Sequence, residues 1–187
     1  MESRTKGFAF TFLIVAGIGA SLLVMLLVVL NRRDETVSLN HEIQYDDFAF
    51  SVLSVRQAWF VGDGDRQVKP SGLFYIVTLK VANHAVRVDY KYNRGCALLV
   101  DEQGIEYSPS PEGQPALEAT LSPSELCSAP IPAGASCVTE VVFDVPAGVS
   151  VSQLRITFGP IADIFDPIFS GRKRIALTQV TPPGDDQ

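Results

Sequence analysis

The hydrophobic positions of this chain change rhythm near residue 31. From Phe8 to Leu30, 23 consecutive residues carry no charge. A helix of that length, rising about 1.5 Å per residue, spans roughly 34 Å, enough to cross a bilayer core of about 30 Å. Beyond it, apolar residues come in short groups, several alternating with polar ones at the period of a β-strand. Phe48, Phe50 and Val52 alternate, and Leu53 and Val55 continue in shifted phase, which predicts a bulge or two short strands. Leu73 to Val81 is almost wholly apolar, aromatic or β-branched, and predicts a central strand with one buried face and a partly covered second face. Val86, Val88, Tyr90 and Tyr92 alternate in the next run. Ala97 to Val100, the turn Asp101-Glu102-Gln103-Gly104 and the return through Ile105 to Tyr107 predict a hairpin. Ser108 to Ala135 holds six prolines and reads as a long irregular connection with one helical turn near Glu118 or Ser124. Val141, Phe143 and Val145 before Pro146, then Leu154, Ile156 and Phe158, then Ile175 and Leu177, supply the remaining strands.

The expected layout is a short tail over residues 1–7, a transmembrane helix over 8–30, a stalk over 31–40, a β-domain over 41–180 and a disordered tail over 181–187. Seven or eight short strands with long connections and no strong amphipathic helix predict an all-β fold, an antiparallel sandwich, with a small barrel as its rival. A cleaved signal peptide is the alternative for the apolar run. Signal peptides have an apolar stretch of about 7–15 residues ending near a small-x-small site. This run instead closes on Leu26-Leu27-Val28-Val29-Leu30 and then Asn31-Arg32-Arg33, and its small residues, Ala16 to Ser21, lie mid-run. The pattern favours an uncleaved anchor. Arg4 and Lys6 before the run nearly balance Arg32 and Arg33 after it, so charge sets orientation weakly. A short tail inside and the domain outside is the usual single-span arrangement, and it is the expectation here.

Charge narrows the partners. The chain has 15 Lys+Arg and 21 Asp+Glu, and residues 1–33 contain Arg4, Lys6, Arg32, Arg33 and Glu2. The remainder therefore carries 11 basic and 20 acidic residues, a balance of −9. Such a surface repels phosphate backbones and argues against a nucleic-acid partner and against an electrostatic grip on anionic lipid. Arg172-Lys173-Arg174 is the one basic cluster, and it reads as the solvated end of a strand.

Little in the chain has the pattern of catalytic machinery. Cys127 and Cys137 flank a nine-residue loop with two prolines and a glycine, an easy closure for a disulfide in an oxidising compartment. Pairing of Cys96 with either one is the competing arrangement; otherwise Cys96 reads as a small buried apolar residue. His41 and His84 are the only histidines, and neither has a Cys or His at metal-ligand spacing, although Glu42 and Asp46 lie near His41. With no G-x-S-x-G sequence, a Ser-His-Asp hydrolase has no foothold. Asp63-Gly64-Asp65 lacks the ligand and glycine an EF-hand loop needs next, so a polar turn is the expectation. Asp46-Asp47 and Asp163 with Asp166 are acidic pairs that would need a desolvated cleft to do acid/base work. Tyr75, Tyr90, Tyr92 and Trp59 at strand positions read as core and cross-strand pairs before a ligand groove. Ile161, Ile164, Phe165, Ile168 and Phe169 form the best candidate partner surface, with a lid over a sheet edge as the alternative.

Three segments carry a family likeness. Gly72 to Asn83 resembles the second strand of a family of bacterial extracytoplasmic domains of unknown function. Leu99 to Tyr107 resembles that family's central hairpin. Ile131-Pro132-Ala133-Gly134 followed by Val141-Val142-Phe143-Asp144-Val145-Pro146 resembles its proline-x-glycine and Phe-Asp segment. The resemblance covers about Ile43 to Leu177. It implies a telokin-like immunoglobulin sandwich behind a lipoprotein signal or a membrane anchor, and it implies no agreed activity. This chain departs from the pattern in lacking a lipid-attachment cysteine after the apolar run and in its long proline-rich connection.

The expectation for function is a non-enzymatic binding or scaffolding module of the cell envelope, without metal or cofactor, integral to the membrane and meeting an envelope protein. The alternatives are a structural accessory subunit of a membrane complex, or a hydrolase whose first suspects are Asp163, Asp166 and His84.

Overall fold

The computed structural model describes residues 17–27, 35–122, 126–157 and 173–183. A helix, α1, covers residues 17–27. The rest of the Phe8–Leu30 run lies outside the described residues. Among the described residues no helix is long and apolar enough to cross a membrane. Every large apolar side chain of α1, from Ile18 to Leu27, is roughly half exposed or more.

Among the described residues ten strands follow: β1 Glu35–Val37, β2 Ile43–Tyr45, β3 Phe48–Ala58, β4 Leu73–Asn83, β5 Ala97–Asp101, β6 Glu106–Tyr107, β7 Ser136–Val145, β8 Val151–Ile156, β9 Lys173–Ala176 and β10 Val180–Thr181. One short helix, α2 Gly113–Glu118, lies in the long connection near Glu118, where a helical turn is expected. The strands form two separate sheets rather than a closed barrel. One runs β1-β9-β8-β5-β6; the other runs β10-β3-β4-β7, with β2 also paired to β3. Pairing is antiparallel except for β1 with β9 and β10 with β3.

The phase shift read in β3 is a bulge. Val52 pairs with Leu79 and Ser54 with Thr78, leaving Leu53 without a partner of its own. One extra residue is what lets Phe50, Val52 and Val55 all point into the core without the strand breaking in two. The hairpin of β5 and β6 forms as its turn residues predict, with Gly104 at φ +83°.

β4 is central, between β3 and β7. Its alternation sorts two cores. Tyr75, Val77, Leu79 and Val81 face the other sheet, among Phe50, Phe143, Leu99, Leu154 and Ile175. Phe74 and Ile76 face outward, where Ala116 and Leu117 of α2 cover them together with Val61 and Val142. The close approach of α2 requires Gly113, whose added Cβ would sit 2.9 Å from the Phe74 ring. α2 also plugs the open edge of β7. The Gln114 side chain accepts from Val142 N at 2.8 Å and donates to the Glu140 carbonyl at 3.0 Å, as a neighbouring strand would.

Three expectations are corrected. Glu35–Val37 is not stalk but a strand on β9, because three residues suffice to pair once β9 offers its edge. Thr181 is not tail but pairs with Arg56. The Val86–Tyr92 alternation is not a strand: Tyr90 makes a single bridge to Ile131, and Val86 and Val88 are 87% and 62% exposed. Asn83 turns the chain there. Its buried side chain donates to the Val88 carbonyl at 2.7 Å and the Ile131 carbonyl at 2.9 Å, and accepts from Ala85 N at 3.0 Å. Those bonds satisfy the backbone locally and remove the need for a ladder.

Candidate functional site

The sandwich has two ends. At the near end the chain comes into β1 at Glu35, which pairs with Lys173. Lys173 Nζ donates to the Gln44 carbonyl and lies 4.7 Å from the centroid of the Tyr45 ring. Tyr45 donates through its hydroxyl to the Ile156 carbonyl and pairs with Phe48. Phe48 stacks on Tyr90 with centroids 4.0 Å apart. The loop after Asn83 is held at the same end, because His84 N donates to the Asp47 carbonyl at 2.7 Å. At the far end lie the end of β3, the start of β4, the β5–β6 turn and the turn joining β7 to β8, the last two tied by Glu102 N to the Ser150 carbonyl.

The cysteines meet at the near end. Cys127 and Cys137 form a disulfide with Cα atoms 5.8 Å apart, and Cys96 is free and buried. Burial pushes the Cys96 thiol up to about 12, so it stays protonated and inert at neutral pH. Burial also raises Tyr90 and Tyr92, with Cys96 adding to both. A cleft of about 500 Å³ beside the disulfide is lined by Lys91, Tyr92, Asn93, Arg94, Cys127 and Ser128. Its Arg94 is already neutralised by Glu118, Nη1 to Oε1 3.0 Å. The cleft holds donors but no nucleophile beside a base.

Among the described residues, the other chemistry-bearing side chains read in the sequence do not converge. His84 meets Glu42 at 3.5 Å, and Glu42 also takes Lys80 at 3.1 Å, all three well exposed. The hydrogen bond from Lys80 is the main reason the Glu42 carboxyl is lowered. The His41 ring lies with Nδ1 3.2 Å from the Leu39 carbonyl. Asp63-Gly64-Asp65 begins a short turn closed by Arg66 N to the Asp63 carbonyl. Among the described residues no group of three or more His, Cys, Asp and Glu is placed to hold a metal ion. Asp163, Asp166 and the candidate partner surface Ile161, Ile164, Phe165, Ile168 and Phe169 lie outside the described residues.

Aromatic exposure separates the four residues considered for a groove. Tyr75 and Tyr92 are buried and Tyr90 is half-buried, so these three belong to the core and its rim. Trp59 is 56% exposed, and Phe60 beside it is 37% exposed. They sit at the far end, on a groove of about 330 Å³ lined also by Arg56, Gln57, Ala58 and Thr181-Pro182-Pro183. Two local features build it. Successive residues of an extended chain point to opposite faces, so Trp59 and Phe60 cannot both turn inward. The parallel pairing of Val180 with Val55 then brings the two prolines alongside. The Arg56 guanidinium lies at the rim, its charge paired with Glu140 at 3.1 Å. An aromatic pair in a groove with a nearby guanidinium suits a protein or peptide partner, since Trp and Arg dominate such contacts.

A family model described as a domain of unknown function, DUF4352, matches residues 37–172. Among solved structures, the chain is similar to the secreted protein MPT63 of Mycobacterium tuberculosis, at 17% identity over 78% of this chain and 99% of that one, with a TM-score of 0.54. It is also similar to an uncharacterized β-sandwich protein of Clostridium difficile 630, at 10% identity over 79% of this chain and 97% of that one, with a TM-score of 0.47. At such identities the likeness to MPT63 is one of fold. No curated protein matches the chain in sequence.

Proposed function

We propose, from the premise that the chain belongs to the DUF4352 family, that it is a membrane-anchored, extracytoplasmic binding or scaffolding module without catalytic activity, which takes an envelope protein at the Trp59–Phe60 groove. The exposed aromatic pair carries this reading. A lone exposed apolar residue needs no explanation, whereas a Trp-Phe pair bordering a groove with Arg56 has the composition of an interface centre.

Three further observations support it. α1 is apolar on every side and would be poorly placed in water, which fits a bilayer around the Phe8–Leu30 run. The Cys127–Cys137 disulfide suits an oxidising compartment. The immunoglobulin-like sandwich resembles MPT63, which is described as secreted.

The test is site-specific photocrosslinking in cells that express the full chain. A photoreactive residue at Trp59 is expected to yield a discrete adduct that disappears when Phe60 is also changed to Ala. The same residue at Ile105, exposed on the far end's hairpin, is expected to yield much less. Equal, diffuse labelling at both positions would sink the groove as the binding surface.

A further inference from the structure

We infer that the near end of the sandwich rests on the bilayer, with Val86 and Val88 set into the headgroup layer of the membrane that holds the Phe8–Leu30 run. The inference rests on the anchored reading above and adds an orientation to it.

Chain length sets the geometry. Between Leu30 and Glu35 there are four residues, 31–34. At no more than about 3.6 Å per residue, the step from the apolar run to β1 is at most about 18 Å. The headgroup layer on one side of a bilayer occupies roughly 5–8 Å of that distance. Glu35 therefore stays within about a nanometre of the headgroups, which keeps the end of the sandwich that holds it facing the membrane.

Among the described residues, the loop after Asn83 carries exposed apolar side chains at that end. Val86 and Val88 are 87% and 62% exposed, the highest values among the described large apolar residues outside α1. They are not exposed by fraying. Asn83 bonds the backbone at Ala85 and Val88, His84 N is fixed to Asp47, and Tyr90 and Ile131 exchange two backbone bonds at 2.9 and 2.8 Å. A backbone secured at both sides thus presents two valines outward with Arg87 between them. The contact is apolar rather than coulombic, because exposed Asp46, Asp47 and Asp89 outnumber Arg87 and Lys91 beside it and leave no excess of positive charge there. Two valines could not recruit a free protein to a membrane. A tether of four residues removes that requirement, since it holds the loop at high effective concentration near the surface.

The full chain reconstituted in vesicles of phosphatidylcholine with phosphatidylglycerol tests this. Spin labels at Val86→Cys, Val88→Cys and Ile105→Cys are compared for collision with oxygen, which concentrates in lipid, and with a nickel chelate, which stays in water. The buried Cys96 gives the unlabelled background in the parent chain. Several-fold higher oxygen-to-nickel ratios at 86 and 88 than at 105, unchanged when phosphatidylglycerol is left out, are expected. Equal, water-like ratios at all three positions in vesicle-inserted protein would overturn the inference and leave the anchor standing. Failure of the chain to insert at all would overturn the anchored reading and this orientation with it.

Discussion

The two ends of the sandwich show the same property with opposite meaning. Each exposes a pair of apolar side chains next to a well-ordered strand end: Val86 and Val88 at the near end, Trp59 and Phe60 at the far end. Chemistry and position separate them. The near pair is aliphatic and sits at the end where β1 begins, four residues after Leu30 in the sequence. The far pair is aromatic, borders a groove with Arg56 and sits at the opposite end of the sandwich. An exposed apolar patch therefore identifies no partner until the topology says what lies next to it. On this account one end meets lipid and the other meets protein, with the rigid β3–β4–β7 sheet between them.

The comparison breaks most completely if the near-end loop is released. Asn83→Ala removes three hydrogen bonds from a fully buried side chain; the Val88 carbonyl and Ala85 N lose their Asn83 partner, while the Ile131 carbonyl keeps its bond from Tyr90 N. We expect a loss of about 3 kcal/mol in urea unfolding and rapid amide exchange over residues 85–90, with the far end unaltered. A loss well under about 1 kcal/mol would show that water replaces the side chain and that the loop is not held by Asn83.

The disulfide acts on the neighbouring connection. Replacing both Cys127 and Cys137 by Ser opens a loop of sequence separation 10. The loop-entropy relation gives a cost of about 2–3 kcal/mol, read as a lower urea midpoint matching that of the reduced parent. On the sheet edge, Gln114→Ala uncovers Val142 N and the Glu140 carbonyl. It should cost about 1–3 kcal/mol and promote edge-to-edge association, visible as concentration-dependent light scattering.

Alkaline pH sharpens the picture of the near-end core. The folded thiol of Cys96 ionises only at about 12, and burial raises Tyr90 and Tyr92 as well. In the unfolded chain these groups lose protons at about 8.5 and 10. Above those values the unfolded state binds fewer protons than the folded state, so stability falls as pH rises from about 9 toward 12. Denaturant midpoints across that range should decline, and Cys96→Ala should flatten the first part of the decline. The smallest effect on stability belongs to Trp59→Ala. As an exposed residue it should change unfolding by less than about 0.5 kcal/mol while weakening co-purification of the partner from membranes. A large loss of stability would instead return Trp59 to the core.

Much of the fold is legible in the sequence because alternation and turn chemistry agree. The bulge in β3 follows from the phase shift at Leu53, and the hairpin from Asp101 to Gly104. The failures share a cause: they depend on partners distant in sequence. Glu35-Thr36-Val37 has no strand signature of its own and pairs only because β9 is there. Val86 and Val88 alternate like strand residues, yet Asn83 satisfies the backbone before a ladder can form. Gln114 has no local mark of its role, since it substitutes for a strand that no short-range pattern encodes. The groove at Trp59 had one available signal, adjacent Trp and Phe directly before the Gly62–Asp65 turn cluster, where both cannot face the core. Its proline wall, Pro182-Pro183, directly follows β10, in the stretch read in the sequence as a disordered tail.

The account stands on an anchored domain facing outward. Ile105→Cys places an exposed thiol on the far-end hairpin, while native Cys96 is buried and the other two cysteines are bonded. Intact spheroplasts expressing this variant are treated with a membrane-impermeant maleimide, and membranes are then extracted with alkaline carbonate. The account predicts labelling without lysis and a labelled chain that stays in the membrane pellet. Labelling only after lysis, or release of the chain by carbonate, would contradict it.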